Sequence, residues 1–183
     1  EKIRKKICPN KTSSENWLKI HKQAHNQNIS TNCTMLYGHV ESYSHRIDHL
    51  DRLRNLQDQT NGFNAFIPLK YKSMNNELSE AGEVSPAEDL KNYAVCSIFL
   101  DNISHLKSYW PMTGKDLAAI SLSFGVDDLD GTIEDTTKIY SMAGAKDQNP
   151  EMSIGEILSL ITRSGRMAVE RDSLYNPIKI YQD

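Results

Sequence analysis

The sequence predicts an α/β fold, the C-terminal part of a (β/α)8 TIM-type barrel. Five segments with helical periodicity alternate with five short β-rich segments, a pattern typical of βα units around a parallel sheet. The chain has 183 residues, whereas a closed barrel of this kind needs about 250. Its strands also carry polar residues, which a barrel interior can accommodate around a substrate. The alternative is an open, doubly wound sheet, which has helices over both faces.

The first half of the chain is expected to contain two helices and two strands. Apolar residues at helical spacing predict the helices, with Thr12 as the first N-cap and Asn61-Gly62 as the end of the second helix. Pro68 cannot donate to a strand ladder, so it is expected in the last turn of its strand or in a bulge. In chain order the elements are helix 15–26, strand 29–37, helix 44–59 and strand 65–69.

The second half is expected to add three helices and three strands. Ser85 and Glu88 form a capping box around Pro86, and Ser153 and Glu156 form a second box. Thr113 is expected to cap the helix between them. The elements are helix 86–101, strand 105–110, helix 115–124, strand 126–131, helix 153–165 and strand 167–170. The apolar residues expected to be buried on helix 86–101 are Tyr93, Ala94, Ile98 and Phe99.

Composition narrows the functional classes. The net charge of −3 and the pI of about 6.1 argue against a nucleic-acid partner or an anionic membrane surface. The sequence has neither a signal peptide nor a run of about 18 apolar residues, so we expect a cytoplasmic protein. Residues 1–183 are expected to form a single domain. The chain has no initiator Met, and we expect it to be a piece of a longer protein.

The three cysteines, Cys8, Cys33 and Cys96, lie too far apart in sequence for a disulfide framework or a clustered metal site. Two histidine pairs at i,i+4 spacing, His21 with His25 and His45 with His49, could hold a metal on a helix face. They lack the glutamate of an HExxH motif, so solvated or capping histidines are the stronger interpretation. No metal site is therefore predicted.

The strongest functional signal is the segment from Thr31 to Glu41. Its polar strand, with Asn32 and Thr34 on one face, breaks at Gly38 and suggests one wall of a ligand cavity. Barrel enzymes place their functional residues at the carboxyl ends of strands. The residues predicted at these positions are Tyr37, Gly38, His39, Glu41, Lys70, Tyr71, Tyr109, Trp110, Met112, Asp128, Asp130, Gly131, Thr132, Glu170, Arg171 and Asp172.

Two of these groups have alternative roles. Asp127, Asp128 and Asp130 could bind a cation, although turn and cap roles are favoured because glycines flank them. Arg171 could hold a substrate carboxylate through two parallel hydrogen bonds, or it could form a local ion-pair network with Glu170 and Asp172. The sequence lacks a Gly-rich phosphate cradle and a nucleophile elbow, so its residues predict a pocket without identifying catalytic groups.

Several motifs together resemble the radical S-adenosylmethionine enzymes of the menaquinone and deazaflavin branch. The segment Thr34–Glu41 is similar to the branch signature Tyr-Gly-His-x-Glu, which packs near the adenine of the cofactor. Similarity to the aminodeoxyfutalosine synthase family extends over nearly the whole chain. Its segments are Leu53–Thr60, Phe63, Phe66–Leu69, Asp101–Ile103, Lys107–Trp110, Asp127–Thr132 and Val169–Asn176. Asn61 replaces a family Gly, and Asn tolerates the left-handed backbone that this turn needs.

The resemblance implies a reaction and its cofactors. S-adenosylmethionine and a [4Fe–4S] cluster would supply a 5′-deoxyadenosyl radical, which adds to 3-[(1-carboxyvinyl)oxy]benzoate to give aminodeoxyfutalosine for menaquinone biosynthesis. The family's Cys-x3-Cys-x2-Cys loop does not occur here. The cluster is therefore expected to be held by an absent N-terminal portion, and this chain alone is expected to be inactive.

The resemblance also implies site residues and partners. Tyr37, Gly38 and Glu41 would contact the cofactor, and His39, Tyr109, Trp110 and Arg171 would contact the substrate. The chain could associate with the missing N-terminal half or with copies of itself. The alternatives are a dehypoxanthine futalosine cyclase, a deazaflavin synthase subunit or a non-catalytic α/β binding domain.

Overall fold

A computed structural model describes residues 1–132 and 151–181. Within them, helices alternate with a four-stranded parallel sheet of order β1–β2–β3–β4, which confirms the predicted partial barrel. The strands are β1 Thr31–Tyr37, β2 Phe63–Lys70, β3 His105–Ser108, β4 Asp128–Leu129, β5 Ala168–Arg171 and β6 Pro177–Tyr181. The helices are α1 Lys2–Ile7, α2 Ser14–Asn26, α3 Tyr43–Thr60, α4 Pro86–Phe99, α5 Trp110–Thr113, α6 Lys115–Ser121 and α7 Ile154–Arg163, with a 3-10 turn at Ser79–Ala81.

Side chains alternate between two different environments along β1. Cys33, Met35 and Tyr37 are buried and pack in one core with the leucines of α3 and with Tyr93 of α4. Thr34 and Leu36 point the other way, because successive side chains of a strand face opposite sides. We call the side that carries Thr34 and Leu36 the inner face of the sheet, since a complete barrel would enclose it.

The main core therefore lies between the sheet and the helices. Leu50, Leu53 and Leu56 recur every three residues along α3 and are at most 6% exposed. Tyr93 and Cys96 contribute the matching surface of α4. Burying these apolar side chains stabilises the fold by roughly 25 cal/mol for each Å² of apolar surface removed from water.

The starts of α4 and α7 follow the predicted capping chemistry. Ser85 and Ser153 accept hydrogen bonds from the backbone N–H groups of Glu88 and Glu156. The box at Ser153 is complete, but at Ser85 the reciprocal contact is missing, because the Glu88 side chain binds Tyr43 and Arg46. Thr12, however, does not cap α2. Ser13 does so by accepting from the N–H of Asn16 at 3.2 Å, because α2 begins at Ser14, one residue before the predicted start.

Four further expectations were wrong in detail. Trp110 does not extend β3 but begins the short helix α5. Thr113 donates to the carbonyl of Tyr109, and Gly114 occupies the N-cap position of α6. Pro68 lies inside β2, opposite Met35, without a bulge at that position. Ile98 is 80% exposed, because the buried stripe of α4 runs instead through Asp89, Tyr93 and Cys96.

The end of the described chain forms an antiparallel hairpin. Here β5 pairs with β6 instead of joining the parallel sheet as predicted. No element was predicted after strand 167–170, where β6 lies. The predicted loop after Gly131 lies mostly outside the described residues. Among the helices that are described, none has the length and apolar character that crossing a bilayer requires.

Candidate functional site

A tight turn after β1 carries most of the predicted cofactor residues. Gly38 has φ of +87°, a left-handed conformation that favours glycine. The carboxylate of Glu41 accepts from the N–H of Gly38 at 2.6 Å and from the N–H of His39 at 2.8 Å. Glu41 therefore organises the backbone of the turn.

Arg46, on the first turns of α3, holds Glu41 from the other side. Its Nε donates to the Glu41 carboxylate at 2.7 Å, and its Nη1 donates to Glu88 of α4 at 3.0 Å. Burial acts to raise the pKa of Glu41, but the N–H groups of the turn and Arg46 outweigh it and hold that pKa below its usual value. Glu41 thus remains ionised with both oxygens occupied.

His39 is enclosed beside this carboxylate, with 2% of its side chain exposed. Its Nε2 lies 3.2 Å from the carbonyl oxygen of Leu36, so Nε2 carries a proton and donates. Its Nδ1 lies 3.0 Å from Glu41, but the atoms are not aligned for a hydrogen bond. Burial lowers the pKa of His39 against the opposing effect of Glu41.

A cavity of about 500 Å³ opens beside the turn. We call it the rim cavity. Its lining combines the turn after β1, the first turns of α3 and α4, and the end of the loop between β2 and α4. The lining residues are Gly38, His39, Glu41, Ser42, Tyr43, Arg46, Ala81, Glu83, Val84, Ser85 and Glu88. This volume lies within the usual range for small-molecule sites.

The side chain of Tyr37 does not line the rim cavity. It lies on the helix side of β1, where its hydroxyl donates to Asp89 at 2.8 Å. Lys70, at the end of β2, donates to the other oxygen of Asp89 at 2.6 Å and to the carbonyl of Val84 at 3.0 Å. This buried network fixes β1, β2, α4 and the end of the loop relative to one another.

A second group of charges lies on the inner face of β3 and β4. Lys107 pairs in register with Asp128, and its ammonium group lies 2.8 Å from Asp130 and 3.5 Å from Asp128. Trp110 is buried, and its indole N–H donates to the carbonyl of Asp130 at 3.1 Å. Tyr109 is half-buried next to it.

Arg171 approaches the same group from β5. It donates to both oxygens of Asp128, from Nε at 3.0 Å and from Nη2 at 2.7 Å. Its guanidinium carbon lies 3.9 Å from the ring centroid of Tyr175, whose hydroxyl donates to Asp128 at 2.6 Å. Arg171 thus forms an ion pair, but its partner is Asp128 of β4 and not the neighbouring Glu170 or Asp172.

The remaining candidate ligands have other contacts. His21 and His25 hydrogen-bond to Thr31, and His45 accepts from the N–H of Ser42. Cys33 and Cys96 are buried, and burial raises the pKa of both thiols, that of Cys96 to about 12. Across residues 1–132 and 151–181, no three His, Cys, Asp or Glu side chains are arranged to bind a metal ion.

The predicted residues thus fall into two groups. Gly38, His39 and Glu41 surround the rim cavity, while Trp110 and Arg171 converge on Asp128 and Asp130. Sequence reasoning missed Arg46, Lys107 and Tyr175. Arg46 lies on the core side of a helix, and Lys107 lies within a strand. These buried positions were the available signal, because a buried cation needs a partner.

Comparison with known proteins shows which family the chain resembles. The model of the CofH/MqnC C-terminal region matches residues 60–181. An aminodeoxyfutalosine synthase of Thermus thermophilus is 44% identical over 99% of this chain and 49% of its own length. A cyclic dehypoxanthine futalosine synthase of Streptomyces coelicolor is 38% identical over all of this chain and 45% of its own length.

A third relative comes from an archaeon. The 5-amino-6-(D-ribitylamino)uracil–L-tyrosine 4-hydroxyphenyl transferase of Methanocaldococcus jannaschii is 37% identical over 94% of this chain and 49% of its own length. The chain thus spans about half the length of the curated relatives it matches. The family model begins after β1, at the last residue of α3, but covers more than half of the chain, so the chain belongs to the family of the CofH/MqnC C-terminal region.

Proposed function

We propose that this chain is the C-terminal half of a cytoplasmic aminodeoxyfutalosine synthase, a radical S-adenosylmethionine transferase of menaquinone biosynthesis. The observation that carries the proposal is the 44% identity to the Thermus thermophilus synthase along 99% of the chain. The segments Lys107–Trp110 and Asp127–Gly131 support it, because they resemble this synthase more than the related cyclases and deazaflavin enzymes.

The rim cavity fits the nucleoside part of S-adenosylmethionine. Its volume of about 500 Å³ suits a ligand of that size. The glycine at position 38 lets Val84 pack against the turn that forms one wall of this cavity. When bound, the cofactor supplies a 5′-deoxyadenosyl radical for addition to the double bond of 3-[(1-carboxyvinyl)oxy]benzoate. Gly38 and Glu41 would hold the cofactor, Glu41 by fixing the turn.

The described residues do not fit the ligands of a [4Fe–4S] cluster. Cys33 and Cys96 are buried with raised thiol pKa values, whereas a cluster needs several thiolates close together. We therefore propose that a preceding portion of the complete protein holds the cluster and that this chain alone does not catalyse the reaction.

The substrate-binding roles proposed for His39, Tyr109, Trp110 and Arg171 concern orientation and the exclusion of water. Trp110 fixes the start of the loop after β4 through the carbonyl of Asp130. Arg171 can bind a substrate carboxylate only if Asp128 gives up part of its bidentate contact. Tyr37 would contribute indirectly, because its hydrogen bond to Asp89 fixes β1 against α4.

The test is a substrate comparison with the complete protein, reconstituted with iron, sulfide and S-adenosylmethionine without oxygen. Three substrates are supplied separately: 3-[(1-carboxyvinyl)oxy]benzoate, dehypoxanthine futalosine, and 5-amino-6-(D-ribitylamino)uracil with tyrosine. We expect aminodeoxyfutalosine from the first and no turnover of the other two. Turnover of the second would instead identify a cyclase, which the 38% identity to the Streptomyces coelicolor enzyme favours as the next candidate.

A further inference from the structure

Lys107 lies on the inner face and pairs with two carboxylates at different distances. Its ammonium group lies 2.8 Å from Asp130 and 3.5 Å from Asp128, and 11% of its side chain is exposed. An ammonium group has three donors on a flexible stem, so it can exchange one carboxylate for another without reorganising the backbone.

Asp128 is firmly held and does not exchange easily. Its two oxygens receive both donors of Arg171, the hydroxyl of Tyr175 and the more distant Lys107. Only 8% of its side chain is exposed. Removing this carboxylate would leave the buried donors of Arg171 and Tyr175 without partners, which is costly.

Within residues 1–132 and 151–181, Asp130 has fewer partners than Asp128. Lys107 is the one described side chain that donates to its carboxylate, and 19% of the Asp130 side chain is exposed. It also stands at the carboxyl end of β4, on the side where barrels bind their ligands. The Asp130 carboxylate can therefore rotate towards solvent when another anion takes its place beside Lys107.

The strand register puts an apolar residue next to this ammonium group. Ala65 lies beside His105, and Phe66 lies beside Leu106, so continuing the register by one residue puts Ile67 beside Lys107. Thr34 is the neighbour of Ile67 on β1, and Asp128 is the neighbour of Lys107 on β4. The inner face thus presents a hydroxyl, an aliphatic side chain, a cation and a carboxylate in one row.

From this row we infer that Lys107 binds a carboxylate of an aromatic acid substrate, displacing Asp130, while Ile67 packs against the ring. The identity of the acid rests on the proposed function. The geometry around Lys107 requires only that the ligand be an aryl carboxylate. Arg171 is the poorer candidate for this contact, because Asp128, the carbonyl of Asp172 and the ring of Tyr175 already occupy it.

The experiment measures aryl carboxylate binding to the complete protein by NMR titration with benzoate, with benzamide as the uncharged comparison. Lys107→Met should weaken benzoate binding by about tenfold or more, the effect of losing a charge-assisted hydrogen bond. Asp130→Asn should strengthen it by about two- to fivefold, because a competing partner of ordinary ion-pair strength is removed. Benzamide binding should change little in either variant.

Matched controls are Lys22→Met and Asp48→Asn, which alter exposed side chains bound to Gln59 and Arg52 and should leave benzoate binding unchanged. Whether Asp130→Asn strengthens or weakens benzoate binding tests the inference, even if Lys107→Met does not fold. Weaker or unchanged benzoate binding in Asp130→Asn would show that the ion pairs are purely structural. Correct benzoate effects without aminodeoxyfutalosine formation would retain this site and reject the proposed synthase.

Discussion

At the scale of single residues, Gly38 shows how the backbone constrains the site. Its φ of +87° is unfavourable for other residues, and a Cβ atom there would stand 3.0 Å from a methyl group of Val84. The turn can thus be closed by the end of the loop before α4 only if position 38 has no side chain.

We expect Gly38→Ala to lower the free energy of unfolding by about 1–3 kcal/mol, combining left-handed strain with the contact to Val84. Urea denaturation measures this change. Gly155→Ala is the matched control, because a Cβ atom added there would meet no described atom within 4 Å beyond its own helix backbone and chain neighbours, and alanine favours α7. Equal effects at the two positions would contradict the role given to Gly38.

The histidines of α2 form a directed chain of hydrogen bonds. Thr60 donates to the carbonyl of Leu56, so its oxygen accepts from Nδ1 of His25 at 2.7 Å. Neutral His25 then accepts at Nε2 from the hydroxyl of Thr31, 2.8 Å away, and Thr31 accepts from Nδ1 of His21 at 2.8 Å. Both neutral rings should therefore carry their proton on Nδ1.

This arrangement predicts a loss of stability in acid. Burial lowers the pKa of both His21 and His25 in the folded chain from the ordinary 6.5. The unfolded chain therefore binds protons first as the pH falls through about 6.5, and the free energy of unfolding decreases until the folded-state pKa values are passed. Denaturation between pH 8 and pH 5, with ¹⁵N NMR of the ring nitrogens, measures both effects.

Thr31→Val provides the comparison, because it removes the hydroxyl that links the two rings. We expect this variant to be less stable at pH 8, because Nδ1 of His21 and Nε2 of His25 lose their shared hydrogen-bond partner. The loss of stability in acid should remain, because the burial that lowers both pKa values remains. Proton occupancy on Nε2 of His25 at pH 8 would contradict the hydrogen-bond chain.

At the scale of elements, a buried ion pair connects α4 to the sheet. Asp89 is fully buried, and Lys70 and Tyr37 both donate to it. A buried pair contributes little compared with well-packed apolar residues, but a single buried charge left without its partner is strongly destabilising. The pair therefore specifies where α4 sits.

A double-mutant cycle of Lys70→Met and Asp89→Leu tests this link. Each single change should cost about 3–5 kcal/mol, and the double change should cost several kcal/mol less than their sum. Urea denaturation of the four proteins measures the coupling. The exposed pair of Arg52 and Asp48 is the control and should couple by at most about 0.5 kcal/mol. Additive losses at Lys70 and Asp89 would contradict the proposed link.

The elements also show what sequence can predict. Ser85-Pro86 and Ser153 located two helix starts, because capping depends on local chemistry. Ile98 and Trp110 were misplaced, because their environment depends on which side of α4 meets the sheet and on a turn after β3. The hairpin strand β6 was missed although Ile178 and Ile180 alternate with polar residues in it, since its pairing with β5 is tertiary information.

At the scale of the whole molecule, helices cover one side of the sheet, and on the described part of the other side Arg171 and Tyr175 pack over Asp128. Family and partial barrel were predictable, because the motifs and the alternation of elements are written along the chain. The groups formed by Arg46 with Glu41 and by Lys107 with Asp130 were not, because their members come from different elements. The curated relatives are about twice as long as this chain. We propose that, in the complete protein, the residues that correspond to their other half pack opposite the inner face of this sheet.

The central claim is that the carboxyl ends of β1, β3 and β4 form the ligand wall of the complete protein. Amide hydrogen exchange, followed with and without S-adenosylmethionine and 3-[(1-carboxyvinyl)oxy]benzoate, tests it most directly. We predict that these ligands slow exchange in residues 34–41, 105–110 and 128–131 and leave α2 and α7 unchanged. Protection confined to α2 or α7, or unchanged exchange along the three strand ends under saturating ligands, would contradict the claim.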